Sequence, residues 1–175
     1  MNQNLAITLG AAAALLAGAC SVDNSDYERK LRDALSEADV SLTQAIEVAE
    51  SETSVGSART AKLQVTSDRQ FRVNAFGKSG ASHQFAIALT GNITGDNPID
   101  LSGGSCGSKT LGEIVAIAEA EVSGQGTSIE LDDDEGCQYE VQVLTDADLM
   151  EVEVTGDGSV TDTETSDDDG TGEDD

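Results

Sequence analysis

Apolar residues recur at three-and-four spacing through Leu111, Ile114, Val115, Ala118 and Val122, which lays them along one face of a helix. Thr110 is followed three residues later by Glu113. That pair predicts a capping box, each side chain satisfying a backbone N–H of the first helical turn. Beyond the Gly124-Gln125-Gly126 break the period drops to two, through Ile129 and Leu131, then Tyr139, Val141 and Val143, then Met150, Val152 and Val154. Three strands with one buried face are expected, and the helix supplies the cover that such a face needs.

The same order stands earlier in the chain. Ser41 and Gln44 make a second capping box, and Leu42, Ala45, Ile46 and Ala49 each lie 69 residues before their counterparts Leu111, Ile114, Val115 and Ala118. Leu63 and Val65 alternate next, then Phe71, Val73 and Ala75, then Phe85, Ile87 and Leu89. The strand offsets drift, as duplication followed by loop insertion and deletion leaves them. Upstream, Tyr27, Leu31 and Leu35 predict an amphipathic helix over residues 26–38, packed across the first unit. The organisation read from these patterns is a signal peptide at 1–19, a tether and amphipathic helix at 20–40, a first unit at 41–95, a Gly-rich linker at 96–108, a second unit at 109–161 and an acidic, disordered tail at 162–175.

Each unit resembles a PepSY domain, a module of metalloprotease propeptides and bacterial envelope proteins. The resemblance is carried by the helix Leu111-Gly-Glu-Ile-Val-Ala-Ile-Ala-Glu119, the acidic turn Asp132 to Gly136, Tyr139-Glu-Val-Gln-Val143, Met150-Glu-Val-Glu-Val154 and the turn Asp157-Gly158. In the first unit it is carried by the helix Leu42-Thr-Gln-Ala-Ile-Glu-Val-Ala-Glu50, whereas Phe71-Arg-Val-Asn-Ala75 lacks the usual Tyr. The resemblance implies an α+β fold of two PepSY-like units, each a helix packed on a small antiparallel sheet. It also implies a non-catalytic protein that binds another envelope protein or peptide and restrains a protease in some members.

The front of the chain is consistent with an envelope address. Leu5 to Ala19 is an apolar run too short and too small in side chain to span a membrane comfortably. It ends in Leu16-Ala17-Gly18-Ala19-Cys20, which resembles the lipobox of bacterial lipoproteins and makes Cys20 the expected lipidation site. The alternative is a plain secreted protein released at an Ala-x-Ala-like site. Ser21 after the cysteine fits delivery to an outer membrane. Setting Cys20 aside leaves Cys106 and Cys137, an even pair in an oxidising compartment, and hence an expected disulfide.

Charge narrows the partners. The net charge is −25, all nine Lys and Arg lie between Arg29 and Lys109, and 22 of the 34 acidic residues follow Lys109. Nucleic acid and anionic lipid surfaces are poor partners for such a chain, and contact with the membrane is expected through the lipid anchor alone. Cationic protein faces and divalent ions suit it better. No cofactor and no catalytic constellation are expected: His83 is the single histidine, and no Gly-x-Ser-x-Gly elbow is present. Asp132, Asp133, Asp134 and Glu135 form the one dense carboxylate loop and the weak candidate for Ca²⁺, without the spacing of an EF-hand. An acidic, cation-binding surface protein is therefore the alternative function.

Overall fold

The computed structural model describes residues 24–52, 55–66, 68–101, 106–132 and 136–166. Three helices, α1 (Asn24–Glu37), α2 (Leu42–Ser51) and α3 (Leu111–Val122), accompany eight strands. The strands are β1 (Val55–Gln64), β2 (Gln70–Gly77), β3 (Ser82–Ala88), β4 (Ile93–Ile99), β5 (Gln125–Asp132), β6 (Gln138–Leu144), β7 (Leu149–Thr155) and β8 (Val160–Thr165). They form one antiparallel sheet ordered β4-β3-β2-β1-β5-β6-β7-β8. Each half of the chain thus repeats a helix followed by a four-stranded meander.

Both predicted capping boxes form. Ser41 N donates to Gln44 Oε1 at 2.8 Å and Thr110 N to Glu113 Oε2 at 2.9 Å, with the reciprocal bonds also made. The residues buried on α2 are Leu42, Ala45, Ile46 and Ala49, and on α3 Leu111, Ile114, Val115 and Ala118, the pairs related by 69 positions. Both helices lie on the same face of the sheet, over Leu63, Phe71, Val73, Phe85, Ile129, Val141, Val152 and their neighbours, in one continuous apolar cluster.

Several expectations require correction. The protein is a mixed α and β fold dominated by a single sheet, not two separate helix-on-sheet units. β1 and β5 pair at Ala61↔Ile129 and Lys62↔Ser128 and fuse the halves. The physical reason is that each half alone would leave its first strand as an open edge and its small core half covered. Each half adds a fourth strand to its three apolar ones: β4 occupies part of the expected linker, and β8 overlaps the short closing strand that the sequence allows at Ser159 to Thr161 and runs on through residues 162–165, where the tail is expected. Polar Thr94, Asp96 and Asn97 in β4 and alternating Thr and acid in β8 conceal these edge strands from an apolar-period reading.

The first helix departs furthest from expectation. The sheet alternates, so the positions between the core residues point away from α2 and α3. Two of these, Leu144 and Leu149, are nonetheless 6% and 1% exposed. α1 lies on that opposite face: it approaches β6, Arg32 Nη1 donates to Thr145 O at 2.6 Å, and Tyr27 borders a recess with the outward-pointing Lys62, Arg72 and Gln142. Its apolar stripe of Tyr27, Leu31 and Ala34 is buried there. α1 therefore covers part of the second face rather than crossing the first unit.

Candidate functional site

The outward face of the sheet, apart from the strip under α1, carries polar and charged residues in fixed cross-strand register. One row runs from β2 to β8 through Arg72, Lys62, Ser128, Gln142, Glu151 and Glu164. The neighbouring row on β5 to β8 is Glu130, Glu140, Glu153 and Asp162. The face is thus divided into a β1–β2 side bearing two cations and a β5–β8 side bearing six carboxylates.

The carboxylates crowd one another. Like charges directly opposite across a strand pair repel. Burial raises the Glu151 carboxyl first, then a hydrogen bond with Glu140 and the negative charges of Glu140, Glu164 and Glu153, so that it is pushed up to about 8. Glu151 is therefore held largely protonated at neutral pH. Neutral donors relieve part of the remaining repulsion: Gln138 Nε2 donates to Glu153 Oε2 at 2.7 Å and Thr161 Oγ1 to the same atom at 3.3 Å.

The cationic side has the opposite character. Lys62 and Arg72 stand directly opposite each other on β1 and β2, both half-buried. Neither makes an ion pair among the described residues, although Arg29, Lys30, Arg32, Arg69 and Lys109 all do. They border a recess of about 200 Å³ that Tyr27, Asn74, Gln84, Gln142 and the acidic Glu130 help to enclose. The Asn74 Oδ1 atom is shielded from solvent and has no hydrogen-bond partner.

The sequence-derived candidates are distributed as follows. Cys106 and Cys137 are joined, with Cα atoms 5.6 Å apart, and tie the entrance of α3 to that of β6. Tyr139 Oη donates to Cys106 O at 3.2 Å beside the bridge. Asp132 ends β5, whereas Asp133, Asp134 and Glu135 lie outside the described residues, as does Cys20. Among the described residues no group of three or more His, Cys, Asp or Glu is placed to hold a metal ion, and no helix is long and apolar enough to cross a membrane. His83 stacks on Phe85 and its Nδ1 lies 2.8 Å from Asp96 Oδ1.

Sequence reasoning overlooked Lys62, Arg72 and the Glu140–Glu151 pair as a surface. Their outward orientation was readable from alternation, since each lies out of phase with the apolar positions of its strand. Their adjacency depends on strand register, which residue types alone leave open.

No family model matches the chain, and no curated protein matches it. A crystal structure of a candidate lipoprotein from Clostridium difficile 630 is similar at 16% identity with a TM-score of 0.45, over 74% of this chain and 95% of that one. The PepSY resemblance therefore rests on the residues quoted for it.

Proposed function

We propose that the chain is a non-catalytic envelope lipoprotein, anchored through a lipid on Cys20, whose two PepSY-like halves present the outward sheet face to another protein or peptide. Restraint of a protease is the form such binding takes by resemblance. The single observation that supports this reading most is the charge division of that face, two cations facing each other on β1 and β2 beside six registered carboxylates on β5 to β8. A surface that only kept the chain soluble would gain from interspersing the two signs, because segregated like charges repel. Segregation instead selects a partner that is acidic where it meets β1 and β2 and basic where it meets β5 to β8, which improves both encounter rate and discrimination.

Cross-linking in intact envelopes, followed by mass spectrometry, tests the proposal. Cross-links from residues on β5 to β8 of this face to one recurrent protein are expected, and their loss at high salt is expected if charge steers the encounter. Recovery of no partner would sink the reading. The anchor has a separate test: the mature N-terminal peptide should begin at Cys20 and carry acyl mass, and the same peptide without acyl mass rejects lipidation.

A further inference from the structure

We propose that the outer edge of β8 takes up an extended, basic segment of the partner as an added strand, with Lys or Arg side chains set against Asp162 and Glu164. The inference rests on the reading of the protein as a polypeptide binder and specifies how, and by what chemistry, the partner is held.

The backbone supplies the first observation. β8 ends the sheet and pairs, among the described residues, with β7 alone. Ser166 N donates to Leu149 O on β7. Backbone groups alternate along an antiparallel strand, so the N–H and C=O of Thr163 and Thr165 point away from β7, to the open side. Thr161 to Thr165 are all exposed. Such a row of donors and acceptors is a template for another strand.

The two ends of the sheet are built differently. β4 carries Pro98, which has no N–H, and its ladder to β3 is interrupted by a register shift between Ala86 and Ile87. Both devices close an edge against further pairing. β8 contains neither Pro nor Gly. Its one register shift, at Glu153 and Val154 of β7, lies at its start, so Asp162 to Thr165 run regularly.

Charge chooses the occupant. Asp162 and Glu164 stand directly across from Glu153 and Glu151 on the outward face, and none of the four is in an ion pair among the described residues. A second copy of this chain would set the same two carboxylates against themselves. The segment that follows Ser166 opens with Asp167, Asp168 and Asp169. Both are repelled. A strand with a base at every second position meets a carboxylate at each. Its intervening residues fall on the other face, in line with Val160, Thr163 and Thr165, where apolar or β-branched side chains fit.

Asp162 sharpens this choice. Its Oδ1 accepts the outward N–H of Thr163 at 2.8 Å. A neutral strand has to break that charge-assisted bond without replacing it. Lys or Arg on an incoming strand gives the carboxylate a new partner and frees the N–H for the ladder.

The full chain, labelled with nitrogen-15, is titrated with three peptides to test this. The first is acetyl-Val-Lys-Thr-Lys-Val-Lys-amide, the second has Gln for each Lys, and the third is the Lys peptide N-methylated at every peptide nitrogen, which keeps the charge and cannot donate to a ladder. The Lys peptide is expected to give saturable shifts centred on Thr163 and Thr165 and to slow solvent exchange of both amides. The other two should each bind about tenfold more weakly or worse. Thr163→Pro removes the outward N–H without touching a bond to β7, and should weaken the Lys peptide about tenfold. Glu164→Gln should weaken it about threefold and leave the urea midpoint unchanged or higher, since opposed charge is removed. Equal binding of the N-methylated peptide, shifts centred away from β8, or the absence of any saturable shift overturns the proposal. The envelope cross-linking experiment separates the two readings. A partner captured equally by Thr163→Pro sinks the edge and spares the binding function, whereas peptide uptake at β8 without any captured partner does the reverse.

Discussion

At the scale of single residues, Glu151 sets a measurable pH dependence. Its carboxyl is raised from 4.5 to about 8, chiefly by burial and then by Glu140, with Glu164 on β8 and Glu153 on its own strand adding to the effect. Below pH 4.5 the group is protonated in both folded and unfolded chains, and its stabilising contribution is complete. As pH rises from 4.5 towards 8 the unfolded chain releases this proton while the folded chain keeps it, so the contribution drains away and is gone above 8. The carboxyls held low, Asp26 by Lys30 and Arg29, Glu113 by Thr110 and Lys109, and Asp157 by Thr155, act in the opposite direction and below this window. Urea midpoints measured from pH 5 to pH 8.5 should therefore fall in the parent chain. In Glu151→Gln the slope should flatten, with the variant the more stable at pH 8.5. Gly156 offers a steric counterpart. Its N–H donates to Cys137 O at 2.8 Å and its carbonyl accepts from Ser108 and Lys109, and a Cβ there would meet Cys137 Sγ, Gly107 Cα and Cys106 O. Gly156→Ala should lower stability by about 1–3 kcal/mol, read from the urea midpoint at unchanged slope.

At the scale of elements, the two helices share a device that neither capping nor periodicity announces. Glu50 Oε1 accepts the backbone N–H of Ala58, and Glu119 Oε1 that of Gly126, both at 2.8 Å. Each carboxylate near a helix C-terminus thus holds the first strand of its own half against the helix. A carboxylate at this end opposes the helix macrodipole, and the charge-assisted bond offsets that cost. In Glu119→Ala the Gly126 N–H is left enclosed without its acceptor, and a loss of about 1.5–3 kcal/mol is expected. Amide exchange at Gly126 should quicken in that variant ahead of the other β5 amides. α1 differs from both helices in having no copy among the described residues. Its ion pairs Arg29 and Lys30 with Asp26, and Arg69 with Glu37, are exposed and add little. Burial of Leu31 and Ala34 against the sheet is what holds it.

For the molecule as a whole, the junction of β1 with β5 consists of only two registered pairs. The apolar cluster nonetheless runs without interruption from Phe85 on one side to Val154 on the other, because α2 packs against α3 above the seam. Continuity of the core outweighs the short backbone seam, since burial of side chains such as Ile129 and Ala61, 1% and 2% exposed, depends on both halves. Unfolding in urea should accordingly be one transition. Far-UV ellipticity and tyrosine fluorescence, which samples Tyr27 on α1 and Tyr139 on β6, should trace the same curve, and separated transitions would show that the halves are independent.

Much of this architecture was legible before any coordinates. The period of apolar residues marked α2, α3 and the inner strands, and the Ser41–Gln44 and Thr110–Glu113 pairs marked where the helices begin, because such signals are local and act through the backbone. The acidic composition and the Cys106–Cys137 pairing were likewise carried by residue types and their number. What the tertiary structure alone decided is non-local. Edge strands β4 and β8 bury almost nothing and so leave no apolar trace. The single sheet depends on β1 meeting β5. α1 takes the outward face because Leu144 and Leu149 break the polar alternation there. The meeting of Lys62 with Arg72, and of Glu140 with Glu151, follows from strand register, and register is set by how the whole core closes rather than by either strand's own residues.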